Sequence, residues 1–295
     1  MRPGGPGPAR RPLHVATTGR ARYGAATARV SRSKPGGAPD GTPPEVFRAA
    51  GAPWTRSLVR TAAAIAVGGP GAQLVPAVAA LGQWTGIRAL PGDACRWRGP
   101  CFPARIALTF DDGPHPDATP AVLDRLDDLG LRATFFLVAA AALRERDLVA
   151  EIVRRGHAVG AHGYAHRSHL ARSPRWIWRD LDATACAMTE LGVAPVWYRP
   201  AYGHVTTATL VAARARGWRP VLWSAWGREW ATRDPSDVAG RVERRLSPGA
   251  VVLLHDSDRF GPSGMCDVVV EALGPIAEAL DRRSLAAVTL DELVS

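Results

Sequence analysis

The sequence predicts an α/β fold, a distorted or incomplete (β/α) barrel of about seven strands. Three observations lead there. From residue 104 onward, short apolar runs alternate with amphipathic stretches, the mark of repeated β/α units. Six or seven such units occupy about 190 residues, whereas a complete (β/α)₈ barrel takes about 250. The conspicuous polar residues fall at the ends of the apolar runs, where parallel architectures gather their sites. A doubly wound sheet gives the same alternation, so pattern alone leaves it as the alternative.

The elements follow in order. ARIALTF at 104–110 reads as the first strand, apolar over most of its length as a covered strand is. Residues 118–129 read as a helix with Val122, Leu123, Leu126 and Leu129 on one face. RATFFLV at 132–138 is a strand, and 147–155 a short helix stopped by Gly156. HAVGAH at 157–162 is a short strand running into a loop, followed by a longer helix at 173–191 that Gly192 ends. VWYRP at 196–200 is a strand, TTATLVAARARG at 206–217 a helix, and RPVLWSAW at 219–226 a strand. A helix at 235–246, the strand GAVVLLHD at 249–256, a helix at 267–283 and a last strand, LAAVTL, at 285–290 complete the domain.

The N-terminal third is different in kind. The chain has 295 residues and a formal net charge of +10, and residues 1–60 hold ten Arg and Lys34 against Asp40 and Glu45. Their Gly, Pro, Arg and Ser content and lack of periodicity predict a disordered basic tail, suited to contact with anionic lipid or cell-wall polymer. The body has no basic stripe interleaved with aromatics, so a nucleic-acid partner is not expected. Residues 61–103 are read as an apolar lead-in and linker before a domain at 104–295. Within it, 61–84 is long and uncharged and follows Arg56 and Arg60, like a membrane span or a late export signal. Pro70, Pro76 and clustered glycines weaken that reading; the alternative is a loosely packed helical lead-in. A cell-envelope or secreted location is expected, with a cytoplasmic one as the alternative.

Four cysteines, Cys95, Cys101, Cys186 and Cys266, form no CxxC pair. Cys95 and Cys101 flank a short insert and are read either as a disulfide or as two free thiols. Cys186 lies on a helical pattern and is expected to be a small buried hydrophobe.

The strand ends carry the chemistry. TFDDGP at 109–114 puts Asp111 and Asp112 side by side at the end of a buried strand, where like charges cost stability unless a cation compensates them. His162 and His166 follow the third strand, Arg199 closes the fourth, Glu229 follows the fifth, and His255 closes the sixth. Two imidazoles and a carboxylate leave positions open on a divalent ion, as catalytic sites do. One Asp can then ligate while its neighbour takes a proton from water. Of the other histidines, His169 is not expected to be a ligand, His157 is expected to be structural, and His115 is a turn residue. Trp226 and Trp230, just past a strand end, are candidates for stacking on a ligand's apolar face, with core or rim packing as the alternative.

With these residues the chain resembles the polysaccharide deacetylases, the NodB homology domain or carbohydrate esterase family 4. The resemblance runs from about Ala104 to the end and rests on five ordered motifs. TFDDGP is intact; the likeness implies Asp111 as general base and Asp112 as metal ligand. H(S/T)xxH appears as His162 and His166 with Gly163 in place of the hydroxyl residue, a change expected to loosen ligand placement. RPPYG appears as Arg199-Pro200-Ala201-Tyr202-Gly203. Arg199 is then expected to pair with Asp111, and the Tyr202 N–H to face an oxyanion. The fourth motif, DxRDW, appears as Trp226-Gly227-Arg228-Glu229-Trp230, with Trp226 where the family has Asp. LxH appears as Leu253-Leu254-His255, which implies Leu253 against an acetyl methyl and His255 as general acid held by Glu229. The resemblance implies a distorted barrel and one divalent ion, zinc, with Co, Ni or Mn as alternatives. It also implies N-acetyl removal from an amino-sugar polymer such as peptidoglycan or a chitin-like oligosaccharide. The family also includes O-acetyl esterases and amide hydrolases of non-sugar substrates. A non-catalytic carbohydrate-binding protein is the reading from another class.

Overall fold

The computed structural model describes residues 95–170 and 172–295. The expectations for the basic tail and for residues 61–84 lie outside the described residues. Among the described residues no helix is long and apolar enough to cross a membrane.

The elements in chain order are β1 (Arg105–Asp111), α1 (Ala118–Asp128), β2 (Ala133–Leu137), α2 (Ala139–Ala142), α3 (Arg146–Arg154) and β3 (Ala158–Ala161). Next come α4 (Pro174–Glu190), β4 (Trp197–Tyr198), α5 (Thr207–Ala215), β5 (Arg219–Pro220), β6 (Ala225–Trp226) and α6 (Pro235–Glu243). The chain closes with β7 (Val251–His255), α7 (Met265–Arg282), β8 (Ala286–Val288) and α8 (Leu290–Val294). All strand pairs are parallel, in the order β5-β4-β3-β2-β1-β7-β6, with β8 beside the start of β1. The sheet is a curled, incomplete barrel of about seven strands, as expected.

β1 explains the layering. Its side chains alternate between two environments, as a strand's period of two requires. Ile106, Leu108 and Phe110 belong to the large core, with Val122, Leu123 and Leu126 of α1 and Val269, Leu273 and Ile276 of α7. Ala107 belongs to a second core with Phe136, Trp197, Val221, Trp223 and Leu253. The strand ends on Asp111, which lies level with His255 of β7 and Phe136 of β2. Parallel register therefore puts both polar strand ends at one rim.

The strand expected at 219–226 is two short strands at opposite ends of the sheet order. Residues 221–224 pass between them, which is why the apolar run looked continuous. Arg96 pairs with this crossing: its N–H donates to the Pro220 carbonyl (2.9 Å) and the Leu222 N–H to its carbonyl (2.7 Å). The last strand stops before Thr289, whose side chain and Glu292 form a capping box that starts α8.

The cysteines are all free, with Cys95 buried and Cys101 exposed, so the disulfide alternative is not realised. Burial pushes the Cys95 thiol up to about 12, which makes it inert. The expectation that Cys186 is buried is corrected: it is exposed. The buried face of α4 runs through Ile177, Leu181, Thr184, Ala187 and Met188, and residue 186 falls outside that stripe.

Phe135 on β2 is fully buried and stacks on Phe110 with ring centroids 5.1 Å apart. Phe135→Ala is expected to cost about 3–5 kcal/mol, because it leaves a cavity between two strands. Urea denaturation checks this: the midpoint falls at unchanged slope, and a loss below ~1 kcal/mol would contradict the packing described.

Candidate active site

Six rim segments build the site. β1 ends in Asp111 and Asp112, the loop after β3 carries His162 and His166, and the turn after β4 carries Arg199 and Tyr202. The turn after β6 carries Glu229 and Trp230, β7 ends in His255, and the loop after β7 carries Phe260. Asp112, His166, Tyr202 and Arg228 are four of the five described non-glycine residues with positive φ. Each such conformation costs about 1–2 kcal/mol for an L-residue, and its clustering here is typical of functional loops.

Arg199 has no exposed surface. Its Nη1 donates to Asp111 Oδ1 (2.6 Å) and Thr109 Oγ1 (2.8 Å), and its Nη2 to the Leu222 carbonyl (3.0 Å). Its guanidinium lies over the Phe136 ring at 4.1 Å. The expected Asp111–Arg199 pair is present and buried.

Asp112 faces the two imidazoles. Its Oδ1 lies 3.3 Å from His162 Nε2 and 3.0 Å from His166 Nε2. These three donor atoms lie within 4.8 Å of one another and all three residues are buried. His162 Nδ1–H donates to the Arg199 carbonyl (2.7 Å), an acceptor only, which leaves the Nε2 lone pair for the cluster. Asp112 Oδ1 is buried and has no hydrogen-bond partner among the described residues. Two nitrogen donors and an orphaned carboxylate oxygen converging on one point fit a divalent cation. Burial works against the Asp112 charge, but the His162 and His166 rings beside it hold its carboxyl well below the usual range. Burial lowers the affinity of His166 for a proton.

His255 sits opposite. Its Nε2 lies 3.9 Å from Asp112 Oδ2, and its Nδ1–H donates to Glu229 Oε1 (2.7 Å). Burial would discharge this ring, but the Glu229 carboxylate outweighs it, with help from Asp112 and Asp111, and pushes the imidazole up to about 9. Glu229 itself is buried.

Under the rim, Asp256 is fully buried and accepts from Thr119 Oγ1 (2.6 Å). Burial raises its carboxyl to about 7. It packs so closely on the DDGP turn that a Cβ at Gly113 would meet Asp256 Oδ2 at 2.2 Å, which is why that turn needs glycine.

Comparison with known proteins agrees with this geometry. The family model described as "Polysaccharide deacetylase" matches residues 102–221. Two peptidoglycan-N-acetylglucosamine deacetylases of Bacillus cereus are each 32% identical to the chain; the alignments cover 72% and 67% of this chain and 76% and 92% of the relatives. The chain belongs to the polysaccharide deacetylase family. A chitooligosaccharide deacetylase of a Bradyrhizobium strain is also 32% identical, over 60% of this chain and 85% of its own. Among solved structures, a peptidoglycan N-acetylglucosamine deacetylase in complex with an N-hydroxybenzamide superposes with a TM-score of 0.64 at 31% identity. That match covers 68% of this chain and 92% of the other.

Within this family member, two of the departures from the motifs, Gly163 and Trp226, have definite surroundings. Gly163 has φ 81, and a Cβ there would lie 3.3 Å from Asp180 Oδ2. Its loop is held instead by the Ala139 N–H donating to the Gly163 carbonyl (3.0 Å), the Ala140 N–H to the Tyr164 carbonyl (2.9 Å), and the Tyr164 N–H to Asp180 Oδ2 (3.3 Å). Trp226 packs between Trp223 (5.8 Å) and Trp230 (6.5 Å), and Trp230 meets the His255 ring edge-on at 5.7 Å with 41% of its surface exposed. Leu253 is buried beside them in the inner core. His169 contacts Thr209 and Asp180 rather than the cluster, His157 accepts the Ala133 N–H, and His115 accepts the N–H groups of Asp117 and Ala118 at the start of α1.

The sequence reading missed Thr109, Asp180, Asp256 and Phe260. Thr109 lies within TFDDGP and Asp256 directly follows LxH, and that placement was the available signal. Asp180 reads as an ordinary helix-surface carboxylate, and Phe260 sits in a loop without periodicity.

In metal-free protein the His255 ring is expected to titrate near 9, and Glu229→Gln to move it down by about a unit or more, since the neutral amide cannot stabilise the imidazolium. NMR titration of the ring protons reads this directly; an unchanged midpoint in the variant would contradict the pairing.

Proposed function

We propose that this family member hydrolyses N-acetyl groups of an amino-sugar polymer, either peptidoglycan or a chitin-type oligosaccharide, with a divalent ion held by Asp112, His162 and His166. The observation that carries the proposal is the division of labour between adjacent carboxylates. Asp111 is tied to Arg199, and Asp112 faces two imidazoles. The names of the Bacillus and Bradyrhizobium relatives support the substrate class.

A divalent ion supplies Lewis-acid polarisation of the acetyl carbonyl and a more acidic water. The protein's own groups do the rest. Arg199 engages Asp111 Oδ1 and so leaves Oδ2 free to take the proton of the attacking water. The Tyr202 N–H is assigned to the tetrahedral oxyanion, a donor worth about 3 kcal/mol in comparable sites. As the C–N bond breaks, the His255 imidazolium, kept protonated beforehand by Glu229, gives its Nε2 proton to the leaving nitrogen. Acetate and a free amine result. Leu253 is assigned to the acetyl methyl, and Trp226 and Trp230 to the sugar face. A cell-envelope or secreted location is proposed along with a wall substrate, the basic segment 1–60 contacting anionic polymer or lipid.

Acetate release from N-acetylglucosamine oligomers is expected to stop on chelation and return with zinc, cobalt, nickel or manganese. Asp111→Asn is expected to keep the metal and lose about 10²-fold or more in kcat. Acetate release indifferent to chelator, or obtained only from O-acetyl esters, would overturn the proposal.

A further inference from the structure

The two imidazoles of the proposed metal site are held in different ways. The His162 ring is tethered by its Nδ1–H bond to the Arg199 carbonyl (2.7 Å). Metal-ligating histidines ordinarily use such a bond to fix the ring plane. His166 has none: its Nδ1 is buried without a hydrogen-bond partner among the described residues. Gly163, three residues earlier, carries no side-chain acceptor. The His166 backbone, at φ 52, is itself strained and needs something to hold it.

What His166 does touch is aromatic. The Phe260 ring stacks on it with centroids 4.1 Å apart and planes at 24°. Tyr202 approaches at 4.5 Å with its plane tilted by 52°. Phe260 arrives from the loop after β7, on the far side of the sheet order from β3. That loop is anchored by Asp258, whose carboxylate accepts the N–H groups of Gly264 (2.6 Å) and Cys266 (2.8 Å) at the start of α7.

We infer that Phe260 is a positioning residue that fixes the plane of His166 by stacking, in place of the hydrogen bond its Nδ1 lacks. The inference rests on the assignment of Asp112, His162 and His166 as metal ligands. Phe260 keeps 39% of its surface exposed, so removing its ring opens no large core cavity and the variants should fold.

The test uses the full-length chain, stripped of metal and titrated with zinc against a chromophoric competitor, and in parallel with cobalt(II) for its visible absorption. Phe260→Ala and Phe260→Leu are expected to weaken zinc binding by about tenfold or more, the usual effect of removing a group that orients a metal ligand. Both are also expected to alter the cobalt spectrum. Phe260→Tyr and Phe260→Trp retain a stackable ring and are expected to stay within about threefold of the parent. Phe102→Ala, an 88% exposed phenylalanine before the start of β1, is the control and should change nothing. If Phe260→Ala binds zinc as tightly as the parent with an unchanged cobalt spectrum, the inference is wrong; a raised KM alone would make Phe260 a substrate contact instead. A parent chain that binds no zinc would refute the metal assignment itself.

Discussion

A guanidinium with no exposed surface organises this site. Arg199 joins β1 through Asp111 and Thr109, the crossing segment through the Leu222 carbonyl, and the loop after β3 through its own carbonyl, which holds His162. Burial works against its charge and the Asp111 carboxylate opposes that loss. A buried ion pair is favourable only when geometry and remaining hydrogen bonds are good, and breaking one typically costs about 3–5 kcal/mol. The arrangement also resolves the cost of two adjacent carboxylates. Asp111 pairs with the arginine, and Asp112 faces two imidazoles in the cluster proposed to hold a cation.

The parallel sheet makes this possible by gathering strand ends at one rim, and the loops supply what strands cannot. Left-handed backbone at Asp112, His166, Tyr202 and Arg228 turns each loop sharply off its strand and into the site. That strain is offset by contacts made nearby: Asp256 packed under the DDGP turn, Asp180 on the Tyr164 N–H, and aromatic rings around His166 and His255. On the other face, Ile106, Leu108, Phe110 and Phe135 bury fully against the helices and give the rim a stiff base. Preorganised groups of this kind contribute to catalysis because they need not reorganise as charge develops.

Much of this was legible in the sequence because apolar runs ending in Asp, His or Arg have few uses other than a strand-end site. Asp111, Asp112, His162, His166, Arg199 and His255 were all readable that way, and the ordered motifs added Tyr202, Leu253 and the Glu229 link. The break between β5 and β6 was not readable, because residues 221–224 are as buried as a strand while crossing between sheet edges. Cys186 misled because a helical pattern reveals a periodic stripe only when its phase is known. Phe260 and Asp180 were invisible because their partners, His166 and the Tyr164 N–H, lie far off in sequence or on another element.

The central claim is that Asp112, His162 and His166 together hold one divalent ion beside the Asp111–Arg199 pair. X-ray absorption at the zinc edge of the loaded full-length chain tests it most directly. The expected spectrum has only nitrogen and oxygen neighbours at about 2.0–2.2 Å and the outer-shell scattering of two imidazoles. Sulfur neighbours at about 2.3 Å, or a shell with no imidazole scattering, would contradict the account.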